Sequence, residues 1–221
     1  MMMTGGMRLV VDSGSLERIG ARTGGGGRAV RKRLDDARRS ELLDGVMQII
    51  GERGFSQVTV AELARELKCS AATLYKIAPS KDSLVLLAFS RWADVVFADL
   101  EARAARSKTA SNRARAYFRA GADRLRPLSL AFFADVARYE STRLAWRVTV
   151  VDRYIDRFVE LVQAAEEAGE TRPVNALFLG EVLGQIGLVT RDERVLSKAG
   201  LTSEEAVLAV DTLIWDGLRK S

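Results

Sequence analysis

The chain has 221 residues, 48% hydrophobic and 29% charged, with only three prolines, a balance that suits a globular protein of one or two cores and favours helix. One cysteine and no histidine exclude an intrachain disulfide framework and any imidazole chemistry. There is no apolar run of membrane-spanning length and no signal-type apolar segment, so neither insertion nor export is expected and the implied compartment is the cytoplasm.

The net charge of +5 sits at one end: residues 1–40 carry nine Lys/Arg and four Asp/Glu, while the remaining 25 basic and 25 acidic residues cancel. Residues 1–28 predict a disordered, basic and glycine-rich arm, with Gly24–Gly27 as a flexible run and Met1, Met2, Met3 and Met7 offering alternative translation starts. From about Arg31 the pattern becomes helical, with Leu42, Leu43, Val46, Met47, Ile49 and Ile50 facing inward and Gly54 closing the helix.

Residues 59–84, TVAELARELKCSAATLYKIAPSKDSL, carry the most information. Thr59 with Glu62 fits a capping box, and Val60, Leu63, Ala64 and Leu67 recur at helical spacing. Lys68-Cys69 leaves room for a turn, with Cys69 expected as a small buried hydrophobe. Ser70 can cap a second helix through Leu74, Tyr75 and Ile77. Pro79 stops that helix and Ser80 caps the next. Two short helices joined by a tight turn predict a helix-turn-helix, which lays its second helix in the major groove of DNA. Ser70, Ala71, Ala72, Thr73, Tyr75 and Lys76 lie on or near the exposed face of that helix, where small side chains let the backbone approach and Thr or Lys can meet base edges. The basic residues Arg31, Lys32 and Arg33, just upstream, suit phosphate or minor-groove contact. Lys81, in the first turn of the next helix, opposes the macrodipole unless an anion comes to that end.

The same stretch resembles the DNA-binding motif of the TetR family of bacterial transcriptional regulators. The matching residues are Thr59, Val60, Leu63, Ala64, Ser70, Thr73, Leu74, Tyr75, Ser80, Lys81, Asp82 and Leu84, preceded by Leu42, Leu43, Met47, Ile50 and Gly54-Phe55. Lys68-Cys69 stands where the family has Gly-Val, Ala72 where it has Gly, and Ile77-Ala78 where it has His-Phe. The resemblance is sharp over about residues 38–90. It implies that Thr59, Tyr75 and Lys81 hold phosphates, and that an all-α chain divides into a three-helix head (29–88) and a helical ligand-binding and dimerisation body (89–221).

In the body, a long helix is expected from Ser80 to about Arg106, then a loop at 107–112, helices at about 112–125 and 129–138, and one long helix over 140–168. Gly169–Pro173 breaks it. A helix at 174–190 comes next, then a charged loop RDERVLSKAGL, and a last helix opened by a Thr202–Glu205 capping box. About six body helices result. The resemblance implies an effector pocket. Trp92, Phe118, Phe133, Tyr139, Trp146 and Tyr154 are its candidate lining and Tyr139, Arg143, Glu140 or Asp135 its candidate polar anchors, which suits an apolar or amphipathic small molecule. Phe178, Leu183, Gly184, Gly187, Val210 and Ile214 on the last two helices are candidates for a homodimer seam; the glycines can equally let these helices pack on their own body. There is no Ser/His/Asp set, metal cluster or phosphate-cradling loop, so no catalysis, metal or cofactor is expected. The expected function is a ligand-responsive repressor acting on a pseudo-palindromic double-stranded DNA operator. The alternative is a helical small-molecule- or partner-binding protein with a degenerate DNA-reading head, motivated by Lys68-Cys69 and Ile77-Ala78.

Overall fold

The computed structural model describes residues 25–190 and 192–219, with side chains from Asp35 onward apart from Leu188 and Glu193. The chain divides into two units, Met1–Asp36 and Ala37–Ser221; the first is helical from Gly25 onward, and the second holds the core. Eleven α-helices are present among the described residues, and no strand; Thr171 and Arg219 form one isolated antiparallel bridge. None of these helices is long and apolar enough to cross a membrane.

The head comprises α1 (Gly25–Arg53), α2 (Val60–Glu66) and α3 (Ala71–Ile77). α1 is already helical at Gly25, before the expected start at about Arg31. Its face of Leu42, Leu43, Val46, Met47 and Ile50 is buried, at about 1.5–3 kcal/mol per large apolar side chain. Gly54 ends it at φ +78°, a left-handed cap that glycine adopts without Cβ strain. A Cβ there would also lie 2.6 Å from Asp135 Oδ2 and 3.2 Å from the Ala131 backbone, so glycine also permits the approach of a body helix.

The body continues as α4 (Lys81–Ala105), α5 (Ala110–Leu125), α6 (Leu130–Arg138), α7 (Glu140–Trp146), α8 (Arg153–Glu167), α9 (Ala176–Val189), α10 (Glu193–Ala199) and α11 (Ser203–Leu218). α5 packs on α4 and α8, α9 on α8, and α11 on α5. Side-chain hydroxyls cap the starts of α4, α5, α6 and α11: Ser80, Thr109, Ser129 and Thr202 each accept an amide one turn in, each cap contributing about 1 kcal/mol.

Two segments differ from the sequence reading. The expected single helix over 140–168 is interrupted by a π-helical stretch, Arg147–Asp152, between α7 and α8; apolar periodicity does not register a local change of hydrogen-bond ladder. The expected loop after residue 190 contains α10, capped by Asp192 and closed by Gly200 at φ +67°. Its charged composition hid signals that were locally present, an Asp cap and a terminal glycine.

Candidate functional site

The helix-turn-helix is assembled by local hydrogen bonds. The Thr59 backbone N–H and hydroxyl each donate to Glu62 Oε2 at 2.8 Å, and the Glu62 amide donates back to Thr59 Oγ1 at 3.2 Å. The backbone and hydroxyl bonds from Thr59 hold the Glu62 carboxyl below its ordinary pKa, so the box is charged at neutral pH. Both Thr59 donors are thereby engaged, and a phosphate at this exposed residue would share the hydroxyl with Glu62.

α2 ends in a Schellman turn: the Cys69 amide donates to Ala64 O at 2.9 Å and the Lys68 amide to Arg65 O at 3.2 Å. The left-handed residue of that turn is Lys68, at φ +52°, so the position has kept the conformation that glycine favours without the glycine. Cys69 is partly buried against the core. Ser70 Oγ accepts the Thr73 amide at 3.1 Å and lies 2.9 Å from Thr73 Oγ1.

α3 then shows two faces. Leu74 and Ala78 are buried and Ala71 and Ile77 are partly buried against the core. Ala72, Tyr75 and Lys76 are exposed on the opposite side, and Tyr75, at 52% exposure, is not a core aromatic. With Ser70 exposed and Thr73 half-buried, the outward strip has a small residue, an alkyl ammonium, a phenol and hydroxyls, groups that suit a base-edge and phosphate surface. Lys81 Nζ donates to Ser56 O at 3.3 Å, which uses one of its three protons and ties the start of α4 to the α1–α2 loop. The side chains of Arg31, Lys32 and Arg33 lie outside the described residues.

A body residue holds the head. Asp135 on α6 is only 9% exposed. Its Oδ2 accepts the amides of Phe55 and Ser56 at 2.6 and 2.7 Å, and its Oδ1 accepts the Ser56 hydroxyl. Burial raises the Asp135 pKa, but the bonds from Ser56 and Phe55 outweigh it and the net shift is downward, so the buried group is an anion. The Phe55 ring joins Phe89, Phe132 and Trp146 in an edge-to-face cluster with centroid spacings of 5.3–6.2 Å.

Trp146 is also part of a cavity of about 320 Å³ in the body, lined by Trp92, Phe118, Phe133, Trp146 and Tyr154 with aliphatic residues of α4, α5, α9 and α11. Trp92 and Trp146 stack at 5.4 Å. The π-helical stretch contributes Arg147, Val150 and Val151, as such stretches often do at functional sites. Burial pushes the Tyr154 phenol pKa up, so it stays protonated. Tyr139 does not line this cavity. It joins α6 to α7, its ring tilted against Phe55 at 6.3 Å and its hydroxyl 3.4 Å from Ser56 Oγ. Of the candidate anchors, Arg143 lines the cavity, whereas Asp135 and Glu140 do not.

The candidate dimer residues separate into two groups. Leu183, Gly184, Gly187 and Val210 face inward and line the cavity, and Ile214 packs against the core. A Cβ on Gly184 would lie 3.3 Å from Ile155 Cδ1, and one on Gly180 2.9 Å from Ile155 Cγ2. Gly180 and Gly184 therefore let α9 approach α8 of the same chain, the intramolecular packing that the sequence had left open beside the seam. Phe178, at 70% exposure, points outward, as do Leu177, Val182 and Val189 on α9 and Leu208 and Leu213 on α11.

Asp211 is a structural residue that pattern reading did not single out. It is fully buried and accepts bonds from Arg115 and Arg119 at 2.6 Å, locking α11 to α5. Its partners lie 96 and 92 positions away, and no local spacing announces such a pair.

Residues 42–88 match the family model described as "Bacterial regulatory proteins, tetR family". Over 80 residues the chain is 34% identical to the HTH-type transcriptional regulator BetI of Brucella anthropi, a match covering 36% of this chain and 41% of that relative's length. A regulator from Saccharomonospora viridis, solved in complex with choline, shares the fold at a TM-score of 0.70 and 19% identity, over 84% of this chain and 99% of the other. A TetR transcriptional regulator from Chloroflexus aurantiacus does so at 0.68 and 19% identity, over 86% and 100%. The match to the tetR-family model thus covers the head, residues 42–88, and the chain as a whole shares the fold of these two regulators.

Proposed function

We propose that the chain is a homodimeric, ligand-responsive transcriptional repressor that reads a pseudo-palindromic operator through α3. The observation that carries this reading is the outward strip of α3: Ala72, Tyr75 and Lys76 are presented to solvent while Leu74 and Ala78 anchor the helix. A head that had lost its DNA surface would have no reason to keep the Thr59–Glu62 box and the Ser70 cap that fix this orientation. Two heads on a dimer would span half-sites about one DNA turn apart, or a multiple of it.

The effector reading rests on α6. Phe133 and Val136 line the cavity, and Asp135, between them, grips the backbone that leads into α2. A molecule that displaces this helix would move the α1–α2 loop with it. The free-energy coupling would equal the difference in the ligand's affinity for the two head positions.

The test is a gel-shift and footprint on the DNA upstream of the protein's own coding sequence. A protected two-fold symmetric site is expected, with Tyr75→Phe weakening binding to all sequences and Lys76→Ala altering base preference at particular positions by about 1–3 kcal/mol. Unchanged affinity in both variants would remove α3 from the interface, and an absence of any protected site would favour a helical binding protein whose head no longer reads DNA.

A further inference from the structure

The charge distribution around the body cavity is one-sided. Its lining includes Arg124, Arg143 and Arg147 but neither Asp nor Glu. Two of these arginines are already held in ion pairs: Arg124 with Asp99 at 2.8 Å, a carboxylate it shares with Arg103, and Arg147 with Asp152 and with Glu181, the latter at 2.9 Å. Those carboxylates do not line the cavity. Arg143, exposed in the last turn of α7, makes no ion pair among the described residues. The remainder of the wall is overwhelmingly aromatic and aliphatic. An apolar chamber with a single uncompensated guanidinium at its edge matches a molecule with an apolar body and one planar anionic head, since the guanidinium fork pairs with a carboxylate through two parallel hydrogen bonds.

The same lining disfavours a cation. A quaternary ammonium is held by open aromatic faces, aided by nearby carboxylate charge. Here Trp92 and Trp146 stack on each other at 5.4 Å, and Trp146 is further occupied by Phe132 and Phe133 at 5.3 and 5.9 Å.

We infer that the cavity takes an amphipathic monocarboxylate, with its apolar body among Trp92, Phe118, Phe133 and Tyr154 and its carboxylate paired with Arg143 at the mouth. This rests on the reading of the cavity as the effector site. At roughly 30 Å³ per water-sized group, the 320 Å³ chamber holds about ten such groups, the size of a medium-chain or aryl-alkyl acid.

The test uses the full chain and three probes that share one tail: decanoate, 1-decanol and decyltrimethylammonium. Binding is followed by tryptophan fluorescence, since Trp92 and Trp146 line the chamber, and by calorimetry. Decanoate should bind saturably and at least about tenfold more tightly than decanol, with the ammonium weakest. Arg143→Gln should bring the acid-to-alcohol ratio close to one while leaving decanol affinity unchanged, and Arg143→Lys should restore part of the preference. An acid-to-alcohol ratio unaffected by Arg143→Gln, tighter binding of the ammonium, or no binding of any probe would overturn the inference. A gel-shift in the presence of each probe separates it from the functional reading. Arg143-dependent decanoate binding without release of DNA would leave the ligand class standing and remove the effector role. Release by the ammonium alone would do the reverse.

Discussion

Replacing Asp135 provides a demanding test of how the head is held. Its carboxylate accepts two backbone amides and one hydroxyl from Phe55 and Ser56, and hydrogen bonds to a charged group contribute about 1.5–3 kcal/mol each. Asp135→Ala removes both acceptor oxygens, and with them all three bonds, and strands the buried Phe55 amide. Offset by relief of the buried charge's desolvation, the net loss should be about 3–5 kcal/mol. Asp135→Asn should behave differently. Its single carbonyl can stand where Oδ2 stands and keep both amides, while its NH₂ faces a Ser56 hydroxyl able to turn and accept, so only charge assistance is lost, about 1–2 kcal/mol. For a chain of this length each kcal/mol corresponds to roughly 2–4 °C in Tm. Thermal and urea unfolding should therefore separate the two variants clearly, with operator affinity falling in the order wild type, Asn, Ala.

The pH dependence supplies a second axis. The folded Asp135 pKa is depressed, so its stabilisation is fully present above the unfolded carboxyl value of about 3.9 and is lost as pH falls through the lower folded value. The stability gap between wild type and Asp135→Asn should be flat near neutrality and close progressively below about pH 4. An alanine variant no worse than the asparagine variant, or a gap that persists into strong acid, would refute the carboxylate as the joint.

Single residues elsewhere in the fold give three more tests. Lys68 is in the left-handed region at φ +52°, which costs an L-residue about 1–2 kcal/mol; allowing for glycine's larger unfolded entropy, Lys68→Gly should raise stability by about 0.5–1 kcal/mol, read as a higher urea midpoint at unchanged m-value. Asp211 is fully buried between Arg115 and Arg119, which are themselves partly exposed. Because those arginines can turn to water, Asp211→Asn should cost about 1–3 kcal/mol, and since its folded pKa is lowered, the arginine bonds outweighing burial, the deficit should shrink in acid. Phe178 and Leu213 are 70% and 75% exposed; if their faces pair two copies, the double substitution to Glu should give a monomer of unchanged helicity in sedimentation, whereas Gly184→Glu, packed against Ile155, should lower Tm without that selective dissociation.

What was legible in the sequence was whatever is decided within about one helical turn. Thr59 announces Glu62, Ser70 announces the amide of Thr73, and Thr202 announces Glu205, because capping is a contest between near neighbours. Lys68 marks the edge of this legibility: the turn it occupies was readable from the family pattern, yet the Schellman bonds around it hold the left-handed backbone even where the glycine has gone. Periodicity gives a face but not its direction. Gly180, Gly184 and Gly187 share one side of α9, and only the presence of Ile155 beside the first two and Leu125 beside the third turns that side inward, leaving Phe178 for the outside. The same limit placed Tyr139 among the cavity aromatics, although it sits between α6 and α7 and turns toward Phe55 and Ser56.

Asp135 shows why the remainder was not legible. From the sequence it is an acid in an otherwise apolar helix, which suggests an anchor for a ligand. In the fold it is 80 positions from the amide it holds, and the identity of its partner is set by the long-range meeting of α6 with the end of α1. That meeting is permitted by Gly54, where any Cβ would strike the carboxylate and the Ala131 backbone. The glycine that closes the first helix and the acid that faces it are thus one device. On the effector reading we propose, this device would join the cavity wall at Phe133 and Val136 to the segment that leads into α2.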